Sequence, residues 1–205
     1  AVDNFAGCDL GDQRRASRLV TLAEQIADRP SESLPKIADS WSDLKALYRL
    51  LDRPEATLDS VTEVHRCRVK ERRGKFLVLS DTTHVDFGRW RKIKGAGPVG
   101  PGSSKGFLLH SGLLIDLADR TLAGLAGQVC HVRKQRQGRQ NASQRAKRCR
   151  ESEMWIELFE KVGSPPPDSQ YIHVCDSAAY NFEAFCTVLS LGSDFVIRAG
   201  RPSRA

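Results

Sequence analysis

Two short apolar runs, each closed by an aspartate, constrain this chain more than any other feature. Phe76-Leu77-Val78-Leu79-Ser80-Asp81 and Tyr171-Ile172-His173-Val174-Cys175-Asp176 are rich in strand-forming residues, the pattern of strands at the centre of a sheet. A carboxylate delivered at the end of such a strand is a common mount for catalytic or metal-binding chemistry. Within Phe76 to Phe87 the apolar run therefore reads as a strand that delivers Asp81 at its end, and the run before Asp176 as a second copy of the device. If the two strands are neighbours, the carboxylates converge. Taken singly, an aspartate in this position is as readily a turn former or a helix cap.

The chain has 205 residues, enough for one sizeable core or for a small helical domain in front of a sheet domain. Its 40% hydrophobic content excludes a wholly disordered chain. No apolar run approaches the roughly 20 residues of a membrane span, so a soluble protein is expected. The formal charge of +7 suits an approach to DNA, RNA or an acidic membrane surface without choosing among them. Six scattered cysteines with no Cys-x-x-Cys pair read as reduced cytosolic thiols. Cys130-His131 and His173-x-Cys175 have the residue types of zinc ligands, but on strands such side chains are ordinarily just packed.

The front of the chain is helical in pattern. Leu10 to Arg29 carries Leu19, Leu22, Ala23 and Ile26 at helical spacing, with Asp9 as the expected cap and Pro30 as the stop. Arg14 and Arg18 lie one turn apart on the other side, with Arg15 on the border and Arg29 further along. Such a face is either solvated or a phosphate contact. Ser40 to Asp52 is a second helix whose stripe of Trp41, Leu44, Leu47, Tyr48 and Leu51 is expected in the core. A polar helix over Ala56 to Arg73 ends at Gly74. Residues 1–72 thus read as a small all-helical domain and 73–205 as a separate one.

Behind the Asp81 strand, Gly88 to Gly106 is a loop rich in glycine and in Arg89, Arg91, Lys92, Lys94 and Lys105, without the spacing of a nucleotide-binding P-loop. Phe107 to Leu117 and Thr121 to Val132 pair around a turn at Ala118 to Arg120. Arg133, Lys134, Arg136, Arg139, Arg145, Lys147, Arg148 and Arg150 form a dense basic stretch, a solvated loop or a nucleic-acid contact. An amphipathic helix, Glu151 to Val162, buries Met154, Trp155, Leu158 and Phe159. After the Asp176 strand come a helix at Asn181 to Leu191 and a last strand at Asp194 to Ala199.

Three strands with short connections, then helix, strand, helix, strand, is the layout of ribonuclease H-like domains: an α/β fold with a mixed sheet flanked by helices. In that layout the first and fourth strands lie side by side, which brings Asp81 and Asp176 together. Paired carboxylates suit Mg²⁺ or Mn²⁺, and two such ions about 3.5 to 4 Å apart serve phosphodiester cleavage and transfer.

The residues also resemble a family. Leu10-Gly11-Asp12-Gln13-Arg14-Arg15 with Arg18-Leu19-Val20, Ala46-Leu47-Tyr48-Arg49-Leu50-Leu51 with Pro54, Asp81-Thr82-Thr83, His110-Ser111, Glu151-Ser152 to Trp155, and Val174-Cys175-Asp176 are similar to motifs of the insertion-sequence-four family of DDE transposases. The resemblance runs in register over nearly the whole chain. It implies cut-and-paste DNA transposition. A helical domain would bind transposon ends through Arg14, Arg15 and Arg18, and a ribonuclease H-like domain would cut and join DNA with Mg²⁺ held by an Asp, Asp, Glu triad. By motif position Asp81 and Asp176 match the two aspartates as catalytic residues and metal ligands. It further implies a bacterial, nucleoid-associated cytoplasmic protein acting on double-stranded DNA as a homodimer in a paired-end complex.

The departures are specific. Asp176-Ser177-Ala178-Ala179-Tyr180 stands where the family has Asp-Arg-Glu-Ala-Asp. The family's segment with the third carboxylate and its C-terminal dimer contacts have no counterpart here. The expectation is a truncated or fragmentary transposase that does not catalyse transposition alone. A catalytically inactive remnant that occupies transposon ends, and a ribonuclease H-like nuclease, are the competing readings.

Overall fold

A computed structural model describes residues 1–89, 93–100, 102–134 and 153–200. Arg91 and Lys92 of the glycine-rich loop lie outside the described residues, as do Arg136, Arg139, Arg145, Lys147, Arg148 and Arg150 of the basic stretch, and Cys149, Glu151 and Ser152. The chain divides into two compact units, Ala1–Arg68 and Val69–Ala205.

The first unit holds α1 (Val2–Phe5), α2 (Gln13–Asp28), α3 (Leu34–Ile37), α4 (Trp41–Leu51) and most of α5 (Leu58–Lys70). The expected cap of α2 is displaced. Asp9 instead accepts the Gly11 N–H at 3.0 Å in a tight turn, where Gly11 has φ +72°. Asp12 then caps the helix by accepting the Arg14 N–H at 2.8 Å. Helix α4 begins where Ser40 accepts the Asp43 N–H at 3.1 Å.

The buried faces of both helices are turned from the expected phase. In α2 the residues facing inward are Ala16, Leu19, Leu22 and Gln25, while Ile26 is exposed. In α4 they are Leu44, Leu47 and Leu50, while Trp41 is 68% exposed and Tyr48 and Leu51 are also out. The cause is packing: Leu50 fills a cluster with Cys8, Leu10 and Leu19, and Leu47 one with Leu22 and Ile37. Each such leucine contributes about 1.5–3 kcal/mol when fully buried, so these clusters outweigh the aromatic residues in setting the rotation of α4.

The second unit is built on a mixed six-stranded sheet: β1 (Lys75–Asp86), β2 (Gly97–Pro98), β3 (Lys105–Asp116), β4 (Leu122–His131), β5 (Gln170–Cys175) and β6 (Asp194–Ile197). The order is β2-β3-β1-β5-β6, with β4 also on β3. The pairs β1·β3 and β3·β4 are antiparallel, and β1·β5 and β5·β6 are parallel. The first long strand and the Asp176 strand are therefore neighbours. Among the described residues the unit also holds helices α6 (Glu153–Val162) and α7 (Phe182–Ser190).

Phe76, Val78, Leu114, Val129 and Tyr171 form one core with Leu158 and Val162 of α6. Trp155 and Phe159 join Cys175, Ala184 and Val188 in another. Met154, Trp155, Leu158 and Phe159 are buried, so α6 presents the apolar side its spacing predicts. The opposite face of the sheet is more open: Leu79 and Leu113 are 39% and 38% exposed. The strand pattern is thus alternating in-and-out, with one face packed and one partly wet.

Candidate functional site

Asp81 does not sit at a strand end. Strand β1 runs on to Asp86, held by β3, where Asp81 is the Cα partner of Ser111. Only the pairing with β5 stops early, at Leu79↔Val174. Asp81 thus lies where the parallel neighbour departs, which frees one side of the strand. The neighbour departs because Asp176 caps a single 3₁₀ turn, Ser177–Ala179, accepting the Ala178 N–H at 2.8 Å. The helix-cap role weighed against Asp176 is real, and it leaves the second carboxylate oxygen uncommitted to that bond.

Both aspartates are exposed. They line one cavity of about 410 Å³, whose other walls include Thr82, His84, Trp155 and Ala178. Thr82 is the cross-strand partner of His110 and its Oγ1 lies 2.9 Å from His110 Nδ1. His110 is fully buried, packed edge-on against Trp155 at 4.1 Å between centroids. Burial holds its pKa down to about 4 although Asp81 and Asp176 both pull it upward. It is a neutral imidazole below the two carboxylates.

Among the described residues no three His, Cys, Asp or Glu side chains gather into a metal-binding group. Cys175 is buried and its thiol is pushed up to about 12 by desolvation, so it offers no thiolate. His173 beside it on β5 is also fully buried, held down to about 4 by burial. The oxygen donors that remain, the carboxylates of Asp81 and Asp176, fit a hard divalent ion such as Mg²⁺, which commonly takes one or two carboxylates and keeps several waters.

In the first unit the three arginines of α2 and Arg29, its C-cap, are not equivalent. Arg15 donates to Leu10 O at 2.7 Å and pairs with Glu55 at 3.3 Å. Arg18 pairs with Asp43 at 2.6 Å, a bond that holds the Asp43 carboxyl below the usual carboxylate range. Arg29 donates to Lys36 O and Ile37 O. The exposed Arg14 makes no side-chain hydrogen bond or ion pair among the described residues. Arg29 therefore serves the fold, whereas Arg14, Arg15 and Arg18 line a concavity of about 220 Å³ with Arg49 and Arg53. The last two were not expected at the DNA contact, although Arg49 lies inside the motif Ala46 to Leu51. The signal was available: Arg49 lies one turn from Lys45 on α4, and Arg53 follows just beyond the end of that helix, before Pro54.

Five arginines line this one concavity, of which Arg15 and Arg18 are paired with carboxylates; a planar guanidinium suits phosphate oxygens. Residues 1–56, which contain all five arginines, match the family model described as transposase DNA-binding. Among solved structures the chain is similar to a piggyBac transposase in a synaptic complex with hairpin DNA. The identity is 12% and the TM-score 0.47, over 95% of this chain and 44% of that one. This chain spans less than half the length of that transposase, and the family match covers its first 56 residues alone.

Proposed function

We propose that this chain belongs to a cut-and-paste transposase of the DDE type, with the first unit gripping transposon-end DNA and the second a ribonuclease H-like unit for strand cleavage and transfer. The observation that carries the reading is the pair Asp81 and Asp176, delivered by adjacent parallel strands to one cavity. The strand order in which the first long strand lies between β3 and β5 supports the ribonuclease H-like assignment. Duplex DNA is the partner, the paired-end homodimer is the working assembly, and a bacterial nucleoid is the setting.

Asp81 and Asp176 are the residues that would hold Mg²⁺. Bound there, the ion would activate the attacking oxygen and stabilise the leaving one. The protein's part is to fix the two carboxylates. The β1·β3 ladder clamps Asp81 on one side, and the cap to Ala178 N–H orients Asp176. Thr82 and His110 brace the adjoining stretch of β1 from the packed face. In the first unit the arginines neutralise backbone phosphates and so position DNA.

Iron-directed cleavage tests the reading. Fe²⁺ substituted for Mg²⁺, with ascorbate and peroxide, generates radicals that cut the chain next to the ion. Breaks near positions 81 and 176, suppressed by excess Mg²⁺, are expected. Breaks elsewhere, or breaks that Mg²⁺ leaves unchanged, would contradict the assignment.

A further inference from the structure

The sheet of the second unit is open along β6. In the order β2-β3-β1-β5-β6 this strand pairs with β5, and its far side has no strand neighbour among the described residues. The Arg198 N–H donates to Cys175 O at 3.2 Å, on the β5 side. Backbone groups alternate in direction along a strand. Asp194, Val196 and Arg198 therefore direct theirs to β5, while Phe195 and Ile197 direct theirs outward. Open edges are ordinarily blunted with lysine, proline or a covering element; β6 carries one acid and one base instead.

That edge is complementary to itself. An antiparallel copy centred on Val196 sets Val196 against Val196, Phe195 against Ile197, and Asp194 against Arg198. The backbone phase fits this centring, because Phe195 and Ile197, both turned outward, become the pair that exchanges two hydrogen bonds, and two-fold symmetry doubles the set. Val196 and the Asp194 to Arg198 pairs then fall at the closer positions, with Cα atoms about 4.5 Å apart, where side chains meet. Asp194, Val196 and Arg198 share one face and all are exposed. Gln170 Nε2 donates to one Asp194 oxygen at 2.6 Å, which leaves the other uncommitted to that bond. The Arg198 guanidinium makes no ion pair or side-chain hydrogen bond among the described residues.

The packed face continues the edge with apolar surface. Phe185 of α7 stacks on Phe195 of β6, with ring centroids 5.1 Å apart and 8° between planes. Phe182 and Leu189 lie one turn either side of Phe185, so the three form a ridge along the helix. Phe182 is 78% exposed and Leu189 61%. We infer that this edge is an interface with a second copy of the chain: β6 pairs antiparallel with its own copy about Val196, which joins the two sheets into one and brings the two α7 ridges alongside the join. A second copy is the occupant because charge, hydrogen-bonding phase and apolar centre are all matched by the same strand reversed. The inference goes beyond the paired-end assembly proposed above, since the pairing needs neither DNA nor metal.

Sedimentation velocity of the full chain, without DNA or divalent ions and at up to about 0.5 mM, tests this. The wild type is expected to dimerise. Asp194→Arg and Arg198→Asp each set like charges opposite one another at both ends of the pairing, and each should weaken association about tenfold or more. Mixed one to one, the two variants bring opposite charges together again and should associate like the wild type. A variant that had merely misfolded would not recover in this way. A monomeric wild type, undiminished association in either single variant, or a mixture no tighter than its components would overturn the interface. Because no metal is present, such a failure is separate from misplaced iron cleavage, which would overturn the metal site.

Discussion

Asp81 and Asp176 each lie two residues beyond Leu79↔Val174, the last rung of the parallel ladder between β1 and β5. Side chains alternate along strands, so two residues on means the same face. The two carboxylates are therefore in step across neighbouring strands, which a one-residue slip would destroy. Their meeting is a consequence of register.

Arg49 and Arg53 should matter to DNA binding as much as Arg14. Each exposed arginine that neutralises a phosphate adds about one unit to the salt dependence of binding. Arg49→Ala and Arg53→Ala are expected to weaken duplex binding across sequences and to reduce the slope of log affinity against log salt by about one each. Fluorescence anisotropy at several KCl concentrations measures this. Unchanged slopes in both variants would remove α4 from the interface. Arg15→Ala should instead lower stability as well, because Arg15 holds Leu10 O and Glu55.

The exposed aromatic residues of α4 predict a clear contrast. Trp41→Ser and Tyr48→Ser should change unfolding free energy by no more than about 0.5 kcal/mol, as exposed positions do. Leu47→Ala should cost about 2–5 kcal/mol. Urea denaturation of the three variants decides, and a large loss in Trp41→Ser would restore that residue to the core.

Acid should destabilise the second unit through His173. Its pKa is held down to about 4 in the folded state, against 6.5 for the free side chain. The stabilising difference is therefore complete above pH 6.5 and drains away as pH falls toward 4, when the unfolded chain takes up the proton first. The loss amounts to roughly 3 kcal/mol. Unfolding curves at pH 7.5, 6 and 5 should show it, and His173→Leu should flatten the slope. An unchanged slope in that variant would assign the acid sensitivity to other groups.

Gly106 should resist substitution. A Cβ there would run into the carbonyl oxygen of Val85, on the strand it pairs with. Gly106→Ala must part β1 from β3 at the end of their ladder, at a cost of about 1–3 kcal/mol or more. A melting temperature equal to that of the wild type would show that the ladder yields there freely.

How much of this was legible in the sequence follows from the physics of each element. The strands of Asp81 and Asp176 were visible because their apolar residues are contiguous, and strand order alone made them neighbours. The end of β1 was not visible, since Thr82 to Asp86 are held by pairing with β3 rather than by an apolar pattern. In α4 the period was right and the phase wrong by about one residue. Leu50 and Leu51 are adjacent and equally apolar, and only the pocket formed by Cys8, Leu10 and Leu19 selects Leu50. The arginine concavity was half legible. Helical spacing groups Arg14 and Arg18, but α4 and the turn after it bring Arg49 and Arg53 to them only through the fold.

The central claim is that Asp81 and Asp176 serve one ion. Mn²⁺ titration followed by electron paramagnetic resonance, in the wild type, Asp81→Asn, Asp176→Asn and the double variant, measures it directly. Each single variant should lose at least about tenfold in affinity. The double variant should lose little more than the worse single one, because residues acting on one ion are coupled. Wild-type affinity in either single variant, or losses that simply add, would contradict a shared site.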